Sequence, residues 1–166
     1  MIYKKSWKYI LTRDDTNYCI EDGCYRPMAV KDFSNVHKND IGGFIDGYYN
    51  LSQSGNCWIF GNSRVFDSAR ISENALVFDN ALIFDKAKVT GNATVSNYAV
   101  VKGNAEICGN AKIYDTADIF GHARISGNAQ VHGYAQVYEN TVVTDNANIR
   151  GFERIRGNTI KIEYDI

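Results

Sequence analysis

Three histidines, His37, His122 and His132, are the side chains of this sequence best placed to exchange a proton near neutrality. An imidazole serves as a general base where a pocket brings a substrate to it, and three are the minimum for an open zinc site. The spacing argues against zinc, because His122 and His132 stand ten residues apart and His37 lies far upstream. Cys19 and Cys24 have no second Cys/His pair near them, so two unpaired loop thiols are expected rather than a bridge or a metal site. Asp67 and Asp85 lie eighteen residues apart and offer carboxylates to a cation, but aspartate is also a turn former, and the turn role is the expected one. Arg150, Arg154, Arg156 and Lys161 form a basic cluster diluted by Glu153, Glu163 and Asp165, read as a solvated end of the fold.

The scaffold that must position these groups is one domain's worth of chain, 166 residues. Eighteen Lys and Arg against nineteen Asp and Glu give a net charge of -1, which is no footprint for nucleic acid or for an anionic membrane. Hydrophobic residues at 45% and aromatics at 13% support a packed core and exclude disorder. No apolar run is long enough for a membrane span, and the first residues lack a signal-peptide core. A cytoplasmic protein with reduced thiols is expected.

From Ile59 the sequence divides into six-residue units, such as VFDNAL, VKGNAE, ICGNAK and ISGNAQ. The first position is Ile or Val in all 17 units through Ile155, and no insertion breaks the count. The fifth is Ala except at Ser63, Thr141, Glu153 and Thr159; the third is Gly, Asp, Glu or Asn. Ala-x-Ile/Val-x predicts a four-residue strand with the small and aliphatic side chains inward. The Gly/Asp-Asn pair that follows predicts a sharp corner using the left-handed region. Three units per coil make a triangular prism of 18 residues per turn, in which residues 59–160 wind five to six coils. Eighteen-residue spacing then stacks Asn74, Asn92, Asn110, Asn128 and Asn146 on one corner, where their amides can bond along the axis.

These units resemble those of the hexapeptide-repeat, left-handed parallel β-helix proteins, in the V-x-G-N-A-x variant found in bacterial and phage-borne proteins often labelled transferases. The likeness covers about two-thirds of the chain. It implies an all-β fold, a left-handed parallel β-helix with a small N-terminal β-rich cap. The expected organisation is a cap and lead-in over residues 1–57, the β-helix over 58–160 and the end of the stack over 161–166. In the cap, Tyr9-Ile10-Leu11-Thr12 and Met28-Ala29-Val30 read as strands, and Ile41 to Gly47 as the lead-in to the first coil. Lys161 in an aliphatic slot and Asp165 in an alanine slot break the pattern where the stack must stop. Cys57 occupies an alanine slot and reads as core.

The outward positions divide the prism chemically. Two faces and the corner between them carry Phe60, Phe66, Leu76, Phe78, Leu82, Phe84, Tyr98, Tyr114, Phe120, Tyr134 and Tyr138. The third face carries Ser72, Thr90, Cys108, Ser126 and Thr144. A contiguous aromatic strip calls for a covering surface. The expected partners are a second copy of the chain and another protein. The resemblance implies a homotrimer, while a two-fold homodimer is the general default. No catalytic residue, metal or cofactor is expected on this reading, and neither nucleic acid nor a membrane is an expected partner. The resemblance also implies a second reading: an acyltransferase with His122 or His132 as base and an acyl-CoA donor in a groove between subunits. The active-site loop common in such enzymes has no counterpart in the uninterrupted repeat.

Overall fold

The computed structural model describes residues 6–13 and 24–158. An antiparallel hairpin, β1 (Tyr9–Arg13) with β2 (Tyr25–Ala29), leads to β3 (Phe44–Ile45). Seventeen two-residue strands follow, one per hexad, from β4 (Trp58–Ile59) to β20 (Arg154–Ile155). They stack into three parallel sheets. The aliphatic residues Ile59, Val77, Val95, Ile113, Val131 and Ile149 form one column, face a. Val65, Ile83, Val101, Ile119, Val137 and Ile155 form face b. Ile71, Val89, Ile107, Ile125 and Val143 form face c. Every one of these pairs is eighteen residues apart, so each coil holds three hexads; the chain is a left-handed parallel β-helix.

The ladder strands are two residues long, not the four the alternation predicts. Only the sixth and first positions of each unit keep strand geometry, and the corner occupies the third and fourth. Backbone pairing still runs round the coil. Phe78 N–H donates to Val95 O, Asn80 N–H to Asn97 O and Leu82 N–H to Ala99 O, each at 2.9 Å. The alanine slot is closed to solvent from Ala69 to Ala147, and only a small side chain fits beside the aliphatic column. Ser63 and Thr141 enter that slot because each hydroxyl donates to a carbonyl of its own unit, Phe60 O and Tyr138 O, at 2.6 Å.

The left-handed residue of each corner is the third, not the asparagine of the fourth. Positive φ falls on Asp67, Glu73, Asp79, Asp85, Asn97, Asp115, Glu139 and Asp145, and on glycines at the same position. Such a backbone strains most side chains, so a residue other than glycine must offset the cost. The carboxylates do so by accepting the third-position N–H of the next coil: Asp85 Oδ2 takes Gly103 N–H at 2.9 Å, and Glu73 Oε2 takes Gly91 N–H at 2.6 Å.

The solenoid begins before the regular hexads. Phe44 and Ile45 pair in parallel with Arg64 and Val65, and Leu51 bridges Ile71. These offsets are twenty residues, and the two extra residues sit in the corner between Leu51 and Cys57, where the eighteen-residue step starts. The hairpin joins β3 antiparallel, so face b and the cap form one nine-stranded sheet. The second cap strand starts at Tyr25, earlier than the sequence suggests, because Tyr25 to Ala29 pair in register with Arg13 to Tyr9. The expected pattern breaks at Lys161 and Asp165 lie outside the described residues. Among the described residues, no helix is long and apolar enough to cross a membrane.

Candidate functional site

The aromatic side is built by the coil itself. Because equivalent positions repeat at the strand spacing of about 4.8 Å, outward rings on adjacent coils can lie flat on one another. Phe60 stacks on Phe78 with centroids 4.9 Å apart, Tyr114 on His132 at 4.6 Å, and Phe120 on Tyr138 at 4.9 Å. Lys102 lies 5.1 Å from the centre of the Phe120 ring and pairs with Asp118 at 3.0 Å. This stacking changes the expected exposure. Phe60, Phe66, Leu76, Phe78, Leu82, Phe84, Tyr114, Phe120 and Tyr138 are half-buried.

Along the regular coils described, the exposed rings are those on the corner between faces a and b, while Tyr48 and Tyr49 are exposed in the lead-in. Tyr98 keeps 65% of its surface open, Tyr134 62% and Phe152 81%. Tyr134 and Phe152 stack at 5.1 Å, their rings nearly parallel. Trp58, at the foot of face a, is closed over by the cap, with the edges of Tyr9 and Phe33 against it.

The histidines occupy three separate places. His132 lies on face a, its Nε2 2.9 Å from Asn148 Oδ1 and its Nδ1 3.7 Å from the Asp115 carboxylate. His122 is exposed at the b–c corner, where its backbone N–H donates to Glu139 O. His37 is exposed in a cap turn closed by Asp40, whose carboxylate accepts His37 N–H at 2.8 Å. Among the described residues, no group of three or more His, Cys, Asp or Glu is close enough to hold a metal. Asp67 and Asp85 do stack, and their carboxylates are engaged by backbone N–H groups of the following coil. Arg150, Arg154 and Arg156 are exposed, while Lys161 lies outside the described residues.

The cysteines depart from expectation. Cys24 is in a disulfide rather than free, and Cys19 lies outside the described residues. Cys57 is core, as its slot implies, but has a polar neighbour the repeat does not announce. The Lys8 ammonium enters the irregular corner and donates to Cys57 O at 2.8 Å, Cys57 Sγ at 3.1 Å and Gly55 O at 3.3 Å, while lying over Phe33. Gln53, in the same corner, accepts Lys8 N–H and donates to Tyr9 O. Tyr9 OH reaches Leu51 O. These contacts clamp the cap to the first coil. Burial pushes the Lys8 ammonium below its ordinary range and the Cys57 thiol above its own. The signal available in the sequence is the two-residue excess before Cys57; nothing in it names Lys8 as the partner.

The molecule is thus a β-solenoid with a clamped cap and an aromatic edge. In keeping with that class, a family model described as the YdcK beta solenoid repeat matches residues 117–133, nearly one full coil from Ala117 to Gly133. Among curated proteins, none matches the chain.

Proposed function

We propose that the chain is a non-catalytic oligomeric binding or scaffold protein that acts through its aromatic side. One observation carries this reading: ring-on-ring columns on two faces converge on a corner where Tyr98, Tyr134 and Phe152 stand open to solvent. Exposed aromatics set among half-buried ones have the composition of an interface core, and face c, with its Lys88–Glu106–Arg124 ion pairs, does not. The occupant is a second copy of the chain or another protein. The resemblance to phage-borne proteins makes inhibition of a host defence protein a fitting role. The test is Phe84→Ser with Phe120→Ser. Both side chains lie outside the core columns, so the variant keeps its β-sheet circular dichroism. It is expected to lose mass in light scattering or to release a captured partner; an unchanged mass and unchanged capture would refute the assignment.

A second reading, an acyl-CoA-dependent acyltransferase, draws on His132 alone, whose ring is held between the Asp115 carboxylate and Asn148. Against it, Nε2 is engaged by Asn148 on a convex face. Saturable binding of acetyl-CoA in calorimetry, lost in His132→Ala, would favour it over the scaffold.

A further inference from the structure

Cys57 stands at the foot of a column of small inward side chains that continues as Ala75, Ala93, Ala111, Ala129 and Ala147. A methyl group fills that slot in each of those coils. At the foot the side chain is a thiol, and a primary amine reaches it. Lys8 keeps 2% of its surface and Cys57 none, and Lys8 Nζ lies 3.1 Å from Cys57 Sγ. The clamp itself is made by the carbonyls of Cys57 and Gly55, which accept from Nζ at 2.8 and 3.3 Å. A thiol sulfur is a weak acceptor, so it adds little to the clamp. What the contact does supply is a nucleophilic nitrogen against an oxidisable sulfur.

We infer that Lys8 and Cys57 form a modification site at which hydrogen peroxide joins Nζ to Sγ through a covalent sulfenamide bond. The inference is independent of the aromatic interface. Oxidation begins at sulfur. The Lys8 amine takes the Cys57 proton, the thiolate attacks one oxygen of the peroxide, and the O–O bond breaks. The departing hydroxide recovers the proton from the ammonium, leaving a sulfenic acid, water and the amine again. The nitrogen lone pair then attacks sulfur, the S–O bond breaks, and the leaving hydroxide carries off one nitrogen proton as water. In sum, a thiol, an amine and one peroxide give an S–N bond and two waters; sulfur loses two electrons and the peroxide gains them. Burial favours the amine, the form with a lone pair, over the ammonium. Burial also holds Cys57 as the thiol, which is why a base in contact with it matters.

The sulfur sits inside the irregular corner, 3.5 Å from Ser52 O and 3.7 Å from Ser54 O. The outer residues of that corner, Ser54, Gly55 and Asn56, are exposed, and a local opening there admits an oxidant as small as peroxide. The nitrogen is already at contact distance, and the flexible lysine stem supplies the remaining movement. The bond ties the residue before β1 to the first coil across forty-nine positions, so the hydrogen-bonded clamp becomes a covalent one. Unfolding then loses the freedom of that loop.

The experiment treats the full chain with hydrogen peroxide and maps its peptides by mass. Cys108→Ser, on a face already lined by Ser72, Thr90 and Ser126, removes the other free thiol among the described residues. The expected product is the Lys8 peptide joined to the Cys57 peptide, about 2 Da lighter than their sum, and separated again by dithiothreitol after unfolding. The melting temperature of the oxidised chain should rise by about 5–15 °C. Peroxide added in urea should give no such link, because only the fold brings the two atoms together. Lys8→Met keeps a long apolar stem without the nitrogen; its Cys57 should accumulate as sulfinic acid, about 32 Da heavier, with no rise in melting temperature. In the chain with Lys8 intact, a Cys57 left as the free thiol, taken to sulfinic acid beside an unmodified Lys8, or joined to another cysteine would overturn the inference. A linked peptide about 14 Da heavier than the sum would overturn the direct S–N bond by placing an oxygen between the two atoms.

Discussion

Replacing Asn110 by alanine removes two hydrogen bonds at once. Asn92 Nδ2 donates to Asn110 Oδ1 at 3.2 Å, and Asn110 Nδ2 donates to Asn128 Oδ1 at 3.0 Å. Both are exposed, so water replaces part of what is lost and each bond contributes near the lower end of the usual net range, about 0.5 kcal/mol. The expected loss is therefore about 1 kcal/mol, or about 2–4 °C in melting temperature for a chain of this size. Asn146→Ala, at the upper end of the ladder, forfeits the single bond from Asn128 and should cost about half as much. Asn80 supplies the control. It holds the same fourth position on another corner, but its side-chain amide makes no hydrogen bond with the described residues, and Asn80→Ala should stay within about 0.5 kcal/mol of the parent. Urea unfolding followed by circular dichroism measures all three, with a matching denaturant slope as the check on cooperativity. The double variant Asn110→Ala with Asn128→Ala removes three bonds rather than four, so its loss should fall short of the sum of the singles by one bond. Equal midpoints for Asn110→Ala and Asn80→Ala would refute the ladder as a source of stability.

Ile119→Ala empties a fully buried site in the middle of face b and should cost about 2–5 kcal/mol, measured by the same urea titration. Asp85→Ala removes the acceptor of Gly103 N–H and should destabilise by about 0.5–1.5 kcal/mol, whereas Asp85→Asn should be better tolerated, since Asn97 Oδ1 accepts Asp115 N–H in the same way. Lys8 carries a pH signature. Its folded-state pKa lies below the ordinary 10.5 because burial disfavours the charge, so the unfolded chain binds the extra proton and stability from this group rises with pH up to about that value. Cys57 and Tyr9, whose pKa values burial raises, act in the opposite sense above their ordinary values of 9.0 and 10.0. In thermal melts taken below about pH 9, before those groups titrate, Lys8→Met should flatten the rise seen in the parent; an unchanged profile would show that burial against the Cys57 corner does not lower the Lys8 pKa.

The repeating part of the molecule is legible from composition and spacing because a coil relates each residue to its equivalent by one fixed step. An uninterrupted count of six, with Ile or Val first and Ala fifth, places Ile113 beneath Val131 and Asn110 beneath Asn128 without any knowledge of the remaining chain. The same rule places Tyr98, Tyr134 and Phe152 on one corner. It does not supply their exposure: Phe120 and Tyr134 are both outward aromatics, yet Phe120 is screened by Lys102 and Tyr138 while Tyr134 stands clear. Nor does it identify the left-handed residue. Asparagine and aspartate both tolerate positive φ, and the structure puts it on the third position, where a residue other than glycine offsets the strain by reaching an N–H in the following coil.

The amino-acid sequence by itself determined the prism, its three faces, the asparagine column and the order of large and small side chains along each corner. These follow from local periodicity, and translation along the axis repeats one solution. Only the tertiary structure decided how the first coil absorbs two extra residues, how Lys8 finds Cys57 forty-nine positions away, and which aromatic rings remain uncovered. Those outcomes depend on contacts that occur once in the chain, between segments no period relates, so packing alone selects them.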